Sequence, residues 1–191
     1  MSALKVDQVL DCKGLACPMP VVRTKKTLEG LNTGEVLEIM ATDRGSVADL
    51  QGWAKRTGHQ YIGLKESGQV FHHYIRKVDP TELKEAVSYP HTITPEEVKA
   101  RLSQGEALHI VDVREPAEFA FGHIPGALSI PVGDLDNRLD ELDASDSFII
   151  VCRSGYRSDL ACQLLEEKGY HKVKNMVHGM NAWDGDILIN D

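Results

Sequence analysis

The chain has 191 residues, 42% of them hydrophobic and 26% charged, and a formal net charge of −8. That composition is ordinary for a soluble globular protein, and the length allows two small domains. No stretch approaches the ~18 consecutive apolar residues of a membrane span, and Met1–Asp7 lacks the apolar core of a signal peptide. Four cysteines, two of them in settings that suit nucleophiles, fit a reducing compartment better than a disulfide scaffold, so a cytoplasmic location is expected. The charge is uneven: residues 1–78 carry 11 Lys and Arg against 8 Asp and Glu, and the remainder carries 10 against 21.

The first motif is Asp11-Cys12-Lys13-Gly14-Leu15-Ala16-Cys17-Pro18-Met19-Pro20, followed by a helical stretch with Val21, Val22, Leu28 and Leu31 available for burial. Two prolines so close are tolerated only in the first turn of a helix, where the N–H groups have no intrahelical partner. Cys17 therefore stands at the N-cap or just before it, facing the positive end of the helix dipole. With Lys13, Arg23, Lys25 and Lys26 nearby, its thiol is expected to be exposed and acidified. Cys12 completes a Cys-x₄-Cys pair that could be a redox couple, half of a metal site or coincidence. A zinc site needs four ligands, and His72 and His73 point to opposite faces of a strand, so no metal is expected.

Val36–Ala41 reads as a strand, Ser46 as the cap of a helix carrying Val47, Leu50 and Ala54 that ends at Gly58, and Tyr61–Ile75 as a hairpin turning at Ser67-Gly68. The Gly-Leu-x-Cys-Pro-x-Pro run from Gly14 to Pro20 resembles the signature of the TusA/SirA sulfur-carrier family. The resemblance implies a two-layer βαβαββ domain over residues 1–78, with Cys17 bearing a persulfide. Residues 79–91 read as a linker, or as a short helix opened by Asp79 and Pro80 and stopped by Pro90.

The second half opens with Thr94-Pro95-Glu96-Glu97, a capping box with Pro at N1. Its helix buries Val98 and Leu102 and stops near Gly105; Leu108–Val113 follows as a parallel-sheet strand. Phe148-Ile149-Ile150-Val151 is an apolar strand that runs directly into Cys152-Arg153-Ser154-Gly155-Tyr156-Arg157-Ser158 and then an amphipathic helix. Curled backbone N–H groups and a helix N-terminus favour an anion on the Cys152 sulfur. Gly155 relieves the curl, and Arg153 and Arg157 add cations. Cys162, beside Leu160, Leu164 and Leu165, reads as a packed core thiol.

The loop from Cys152 resembles the active-site loop of rhodanese sulfurtransferases. So do Asp112–Glu115, Glu118-Phe119, Gly122–Ala127 and Gly179–Trp183. The resemblance implies an α/β/α domain with a parallel sheet over residues 92–191, with Cys152 as catalytic persulfide carrier and Arg153, Ser154, Gly155, Tyr156, Arg157 and Ser158 holding the donor. Arg114, Glu115 and His123 read as scaffold, because transfer between thiolates needs no proton relay. A cysteine phosphatase or arsenate reductase would place five residues between Cys and Arg, where this chain has four. A non-enzymatic redox sensor or adaptor switching through Cys12 and Cys17 is the other rival.

The expected function is thus sulfur transfer from Cys152 to Cys17 and onward. The implied partners are a sulfur donor (thiosulfate, a low-molecular-weight persulfide or a cysteine desulfurase) and a sulfur-acceptor protein. No nucleic-acid motif is present, although a tRNA-linked acceptor suits the basic half. No resident cofactor is implied beyond the cysteine persulfides, and both reactive thiols are expected to be partly exposed.

Overall fold

The computed structural model describes residues 4–79 and 88–190. The chain divides into two compact units, Met1–Lys84 and Glu85–Asp191. The helix expected from Asp79 and Pro80 lies outside the described residues.

In the first unit, β1 (Gln8–Cys12), α1 (Met19–Gly30), β2 (Val36–Ala41), α2 (Ser46–Thr57), β3 (Gln60–Ser67) and β4 (Val70–Arg76) follow in the βαβαββ order. The sheet order is β1-β2-β4-β3; β1 and β2 are parallel, and β4 is antiparallel to both its neighbours. Strand alternation turns Leu37, Ile39 and Ile75 into one core with Leu28 of α1 and Leu50, Trp53 and Ala54 of α2. On α1 the buried stripe is Pro20, Thr24 and Leu28. Val22, expected inside, is 53% exposed. At 100° per residue it lies on the face opposite that stripe. Ser46 likewise does not cap α2, whose N-cap is Gly45. Its hydroxyl instead meets buried His73 Nε2 at 3.0 Å, while Tyr61 Oη meets His73 Nδ1 at 2.8 Å. His72 points to the other face and bonds Glu38 at 2.7 Å.

The second unit runs β5 (Thr92–Ile93), α3 (Pro95–Ser103), β6 (His109–Asp112), α4 (Pro116–Phe121), β7 (Leu128–Ser129), β8 (Phe148–Val151), α5 (Tyr156–Glu167) and β9 (Val173–Met176). All five strands pair in parallel, in the order β5-β9-β8-β6-β7. Alternation along β8 divides the core into two layers. Phe148 and Ile150 pack with Ala161, Cys162 and Leu165 of α5, and Ile149 and Val151 pack with Val98 of α3. The Thr94 capping box forms in full, with Thr94 Oγ1 accepting from Glu97 N–H at 3.2 Å and Glu97 Oε2 accepting from Thr94 N–H at 2.9 Å. Ser88 and Tyr89, in the segment expected as linker, are tied to this unit. Their N–H groups donate to buried Asp159 at 2.9 and 2.7 Å, and Tyr89 enters the core.

Burial lowers His73 to about 4, so its ring stays neutral in the fold under conditions where it would protonate in the unfolded chain. Between pH 6.5 and 4 the unfolded state then binds the extra proton, and stability falls as pH falls through that window. The loss is roughly 3 kcal/mol at one unit per 1.36 kcal/mol. Urea unfolding read from Trp53 in a Trp183→Phe background should show His73→Gln lacking this part of the slope. Parallel curves for the two proteins would remove His73 as the cause.

Candidate functional sites at Cys152 and Cys17

Cys152 follows the last residue of β8, at the carboxyl end of a central parallel strand, where ligand sites of open α/β sheets form. The loop ends at Gly155, whose φ of 106° at the α5 N-cap is a left-handed conformation suited to glycine. Gly155 N–H donates to Cys152 Sγ at 3.1 Å, and the Ser158 hydroxyl lies 3.2 Å from the same sulfur. Asn175 of β9 braces both: its Nδ2 donates to Gly155 O at 3.0 Å, and its Oδ1 accepts from Ser158 Oγ at 2.6 Å. The short turn Gly179–Asn181 holds the loop from behind. Met180 N–H reaches Cys152 O at 2.8 Å, and Asn181 N–H reaches Arg153 O at 2.9 Å. A Cβ on Gly179 would stand 2.3 Å from Cys152 O, so only glycine permits this approach.

Of the loop residues expected to hold a donor, Gly155 and Ser158 reach the sulfur, Ser154 is exposed, and Arg153 and Tyr156 are half-buried. Arg157 turns elsewhere. Its guanidinium is buried and grips Glu118 of α4 bidentately, Nη1 to Oε2 at 2.7 Å and Nη2 to Oε1 at 2.9 Å. A guanidinium out of water requires a carboxylate, and Glu118 supplies it while also accepting the Glu115 N–H at 3.0 Å in the α4 cap. Arg157, expected to face the donor, thus has its guanidinium paired with Glu118. Cys152 itself is fully buried rather than partly exposed. Arg114 is paired with Asp112 and the Gly122 carbonyl. His123 stacks on Phe119 and bonds its carbonyl at 2.9 Å, a scaffold role. Asn175 and Glu118 are the residues that sequence reasoning passed over as site builders; an Asn sharing the face of Val173 in a short alternating strand was the available signal.

Cys17 stands immediately before the Pro18 N-cap of α1 and is exposed. Because β1 and β2 are parallel, its loop and the β2–α2 loop share one sheet edge. Gly14 N–H donates to Thr42 Oγ1 at 2.9 Å, and Cys17 N–H to Asp43 Oδ2 at 3.3 Å. The acidified thiol expected from the dipole and nearby lysines is not what this setting produces. A hydrogen bond to the Asp49 carboxylate, reinforced by burial and by the charges of Asp49 and Asp43, raises it. Lys13 is engaged by Asp11 at 3.2 Å. Cys12 is wholly buried, and desolvation raises its thiol; burial does the same to Cys162.

Residues 8–77 match the family described as sulfurtransferase TusA, and residues 94–186 the rhodanese-like domain family. YrkF of Bacillus subtilis, named as a candidate sulfur carrier protein, is 46% identical over 182 residues, covering 95% of this chain and 98% of its own. This chain is a TusA–rhodanese fusion. A sulfurtransferase of Allochromatium vinosum is 41% identical to the fusion over 91 residues, 48% of this chain and 85% of that one. The crystal structure of a rhodanese-like domain protein from Staphylococcus aureus superposes with a TM-score of 0.50 at 34% identity, covering 53% of the fusion and 99% of that chain. The fusion thus belongs to the sulfurtransferase and sulfur-carrier families, and no helix among its described residues is long and apolar enough to cross a membrane.

Two outcomes follow from the site electrostatics. Arg157→Ala leaves Glu118 charged and buried, so the second unit should lose about 3–5 kcal/mol in urea unfolding; an unchanged midpoint would mean that Glu118 takes up its proton at no penalty. Asp49→Asn should speed iodoacetamide alkylation of Cys17 at pH 7 severalfold, since the thiol loses its carboxylate partner. Equal rates would place the control elsewhere.

Proposed function

We propose that Cys152 accepts sulfane sulfur as a persulfide and that Cys17 receives it for delivery to an acceptor protein. The observation that carries this reading is the Cys152 sulfur at the head of α5, with the Gly155 N–H and the Ser158 hydroxyl directed at it. Donors so placed stabilise negative charge on a thiolate or a persulfide and on the transition state between them. With thiosulfate, the Cys152 thiolate attacks the outer sulfur, the S–S bond breaks, and sulfite departs with the bonding electrons. The terminal sulfur of the resulting persulfide is then attacked by an acceptor thiolate, and Cys152 leaves as thiolate, so no net oxidant is needed.

For Cys17 to attack, its thiol must first lose its proton to solvent, a step that the neighbouring Asp49 carboxylate opposes. The excess of basic residues in 1–78 and of acidic residues in the rest favours an encounter of the two halves. In the cell the donor is a low-molecular-weight persulfide, a cysteine desulfurase or thiosulfate, and the acceptor is a protein thiol, including one that serves tRNA. A location in the cytoplasm keeps all four thiols reduced. The rivals lose ground: Arg157 is committed to Glu118 rather than free for a phosphate or arsenate, and Cys12 is buried away from a disulfide exchange with solvent.

Cys152→Ser should abolish thiosulfate:cyanide turnover, whereas Cys17→Ser should retain most of it. Peptide mass spectrometry after thiosulfate treatment should find added sulfur first on Cys152 and then on Cys17. Substantial turnover by Cys152→Ser would overturn the assignment. Mixing the two single variants makes any relay bimolecular; if that mixture labels Cys17 as fast as dilute wild type, the relay gains nothing from the tether.

A further inference from the structure

The Ser158 hydroxyl has one proton and two acceptors: Cys152 Sγ at 3.2 Å and Asn175 Oδ1 at 2.6 Å. We propose that Asn175 is a positioning residue that competes with the Cys152 sulfur for this proton, and so sets how readily the sulfur holds negative charge. The inference rests on the reading of Cys152 as the sulfur-bearing residue.

The orientation of the Asn175 amide follows from its other partner. Gly155 O can only accept, so Nδ2 must face it and Oδ1 must face Ser158. With Cys152 as a neutral thiol, the hydrogen bonds form a closed circuit. The S–H donates to Ser158 Oγ, Ser158 donates to Asn175 Oδ1, Asn175 donates to Gly155 O, and Gly155 N–H returns to the sulfur. When the thiol loses its proton to solvent, Ser158 must rotate its only proton to the anion. The sulfur then has two donors, and Asn175 Oδ1 has lost its own. Asn175 is fully buried, so that loss is not made good by bulk water. The short 2.6 Å contact therefore holds the resting state toward the thiol, and anything that weakens it releases the hydroxyl to the anion.

The charged and titratable groups around the sulfur are Arg157 with Glu118 and Glu115, Arg153 in the loop, and Asp159 and Cys162 on α5. None is altered by changing residue 175. Removing the Asn175 side chain also leaves Gly155 O with a donor, because Asp159 N–H reaches it at 3.0 Å.

The test is the pH midpoint of iodoacetamide alkylation at Cys152, read by peptide mass spectrometry in a Cys17→Ser protein, with no sulfur donor present. Asn175→Ala frees the Ser158 proton for the sulfur and should lower the midpoint by about one pH unit, tenfold in anion fraction below it. Asn175→Asp binds that proton more tightly and should raise the midpoint by a similar amount. In a Ser158→Ala background Asn175→Ala should no longer move it, whereas the charge that Asn175→Asp adds acts on the sulfur with or without Ser158. A purely structural role would alter the rate at every pH through access to the buried thiol while leaving the midpoint in place. Shifts that are absent or that share one sign, or an Asn175→Ala shift that persists without Ser158, would overturn the proposal. If Asn175→Asp does not fold, Asn175→Ala with and without Ser158 decides alone. Added sulfur on Cys152 after thiosulfate is measured separately, so failure of the persulfide reading is distinguishable from failure of this one.

Discussion

A backbone that curls its amides toward an anion turns its carbonyls outward, and in a buried loop each of those carbonyls must find a donor. The second unit is organised around that requirement. The carbonyls of Cys152 and Arg153 are met by the N–H groups of Met180 and Asn181, and the carbonyl of Gly155 by Asn175 and Asp159. Apart from Asp159 on α5, the donors come from β9 and from the turn beyond it, which reach the loop only because β9 lies next to β8 in the sheet. Gly179 is glycine for the same reason: a side chain there would collide with the carbonyl that its neighbour satisfies.

The two thiols sit in opposite electrostatic settings. At Cys152 the Gly155 N–H meets the sulfur beside the Ser158 hydroxyl, whose one proton Asn175 also accepts, and a buried cation, Arg157, stands behind them, neutralised by Glu118 so that the core tolerates it. At Cys17 the helix N-terminus is opposed by two carboxylates, and the thiol is held protonated and exposed. A buried, donor-lined sulfur suits a group that must retain a charged intermediate while excluding water. An exposed thiol suits one that is charged and discharged by other proteins. Both arise from the same topological device, a loop at the carboxyl end of a parallel strand leading into a helix.

Much of this was legible in the residues. The capping box at Thr94, the β2 strand from Val36 to Ala41, the αL stop at Gly58, and the position of Cys17 one residue before a proline-started helix are all local, and local chemistry dictates them. Gly155 and Ser158, read from the loop motif as holding the donor, lie within hydrogen-bond distance of the Cys152 sulfur. Val22 and Ser46 were misread because periodicity and capping preference say which residues can be buried or can cap, not which face tertiary packing selects.

What the sequence determined by itself was the order of elements, the two nucleophile motifs and the helix starts that flank them, because each rests on interactions between residues a few positions apart. The electrostatics of both sites were decided only by the tertiary structure. Asp49 comes 32 residues after Cys17, and Glu118 comes 39 before Arg157. A cation near an active loop in sequence binds a donor only if no carboxylate reaches it first. Folding brought Glu118 and Glu115 to Arg157, because a charge removed from water is stable only beside its opposite, and it set Asp43 and Asp49 beside Cys17.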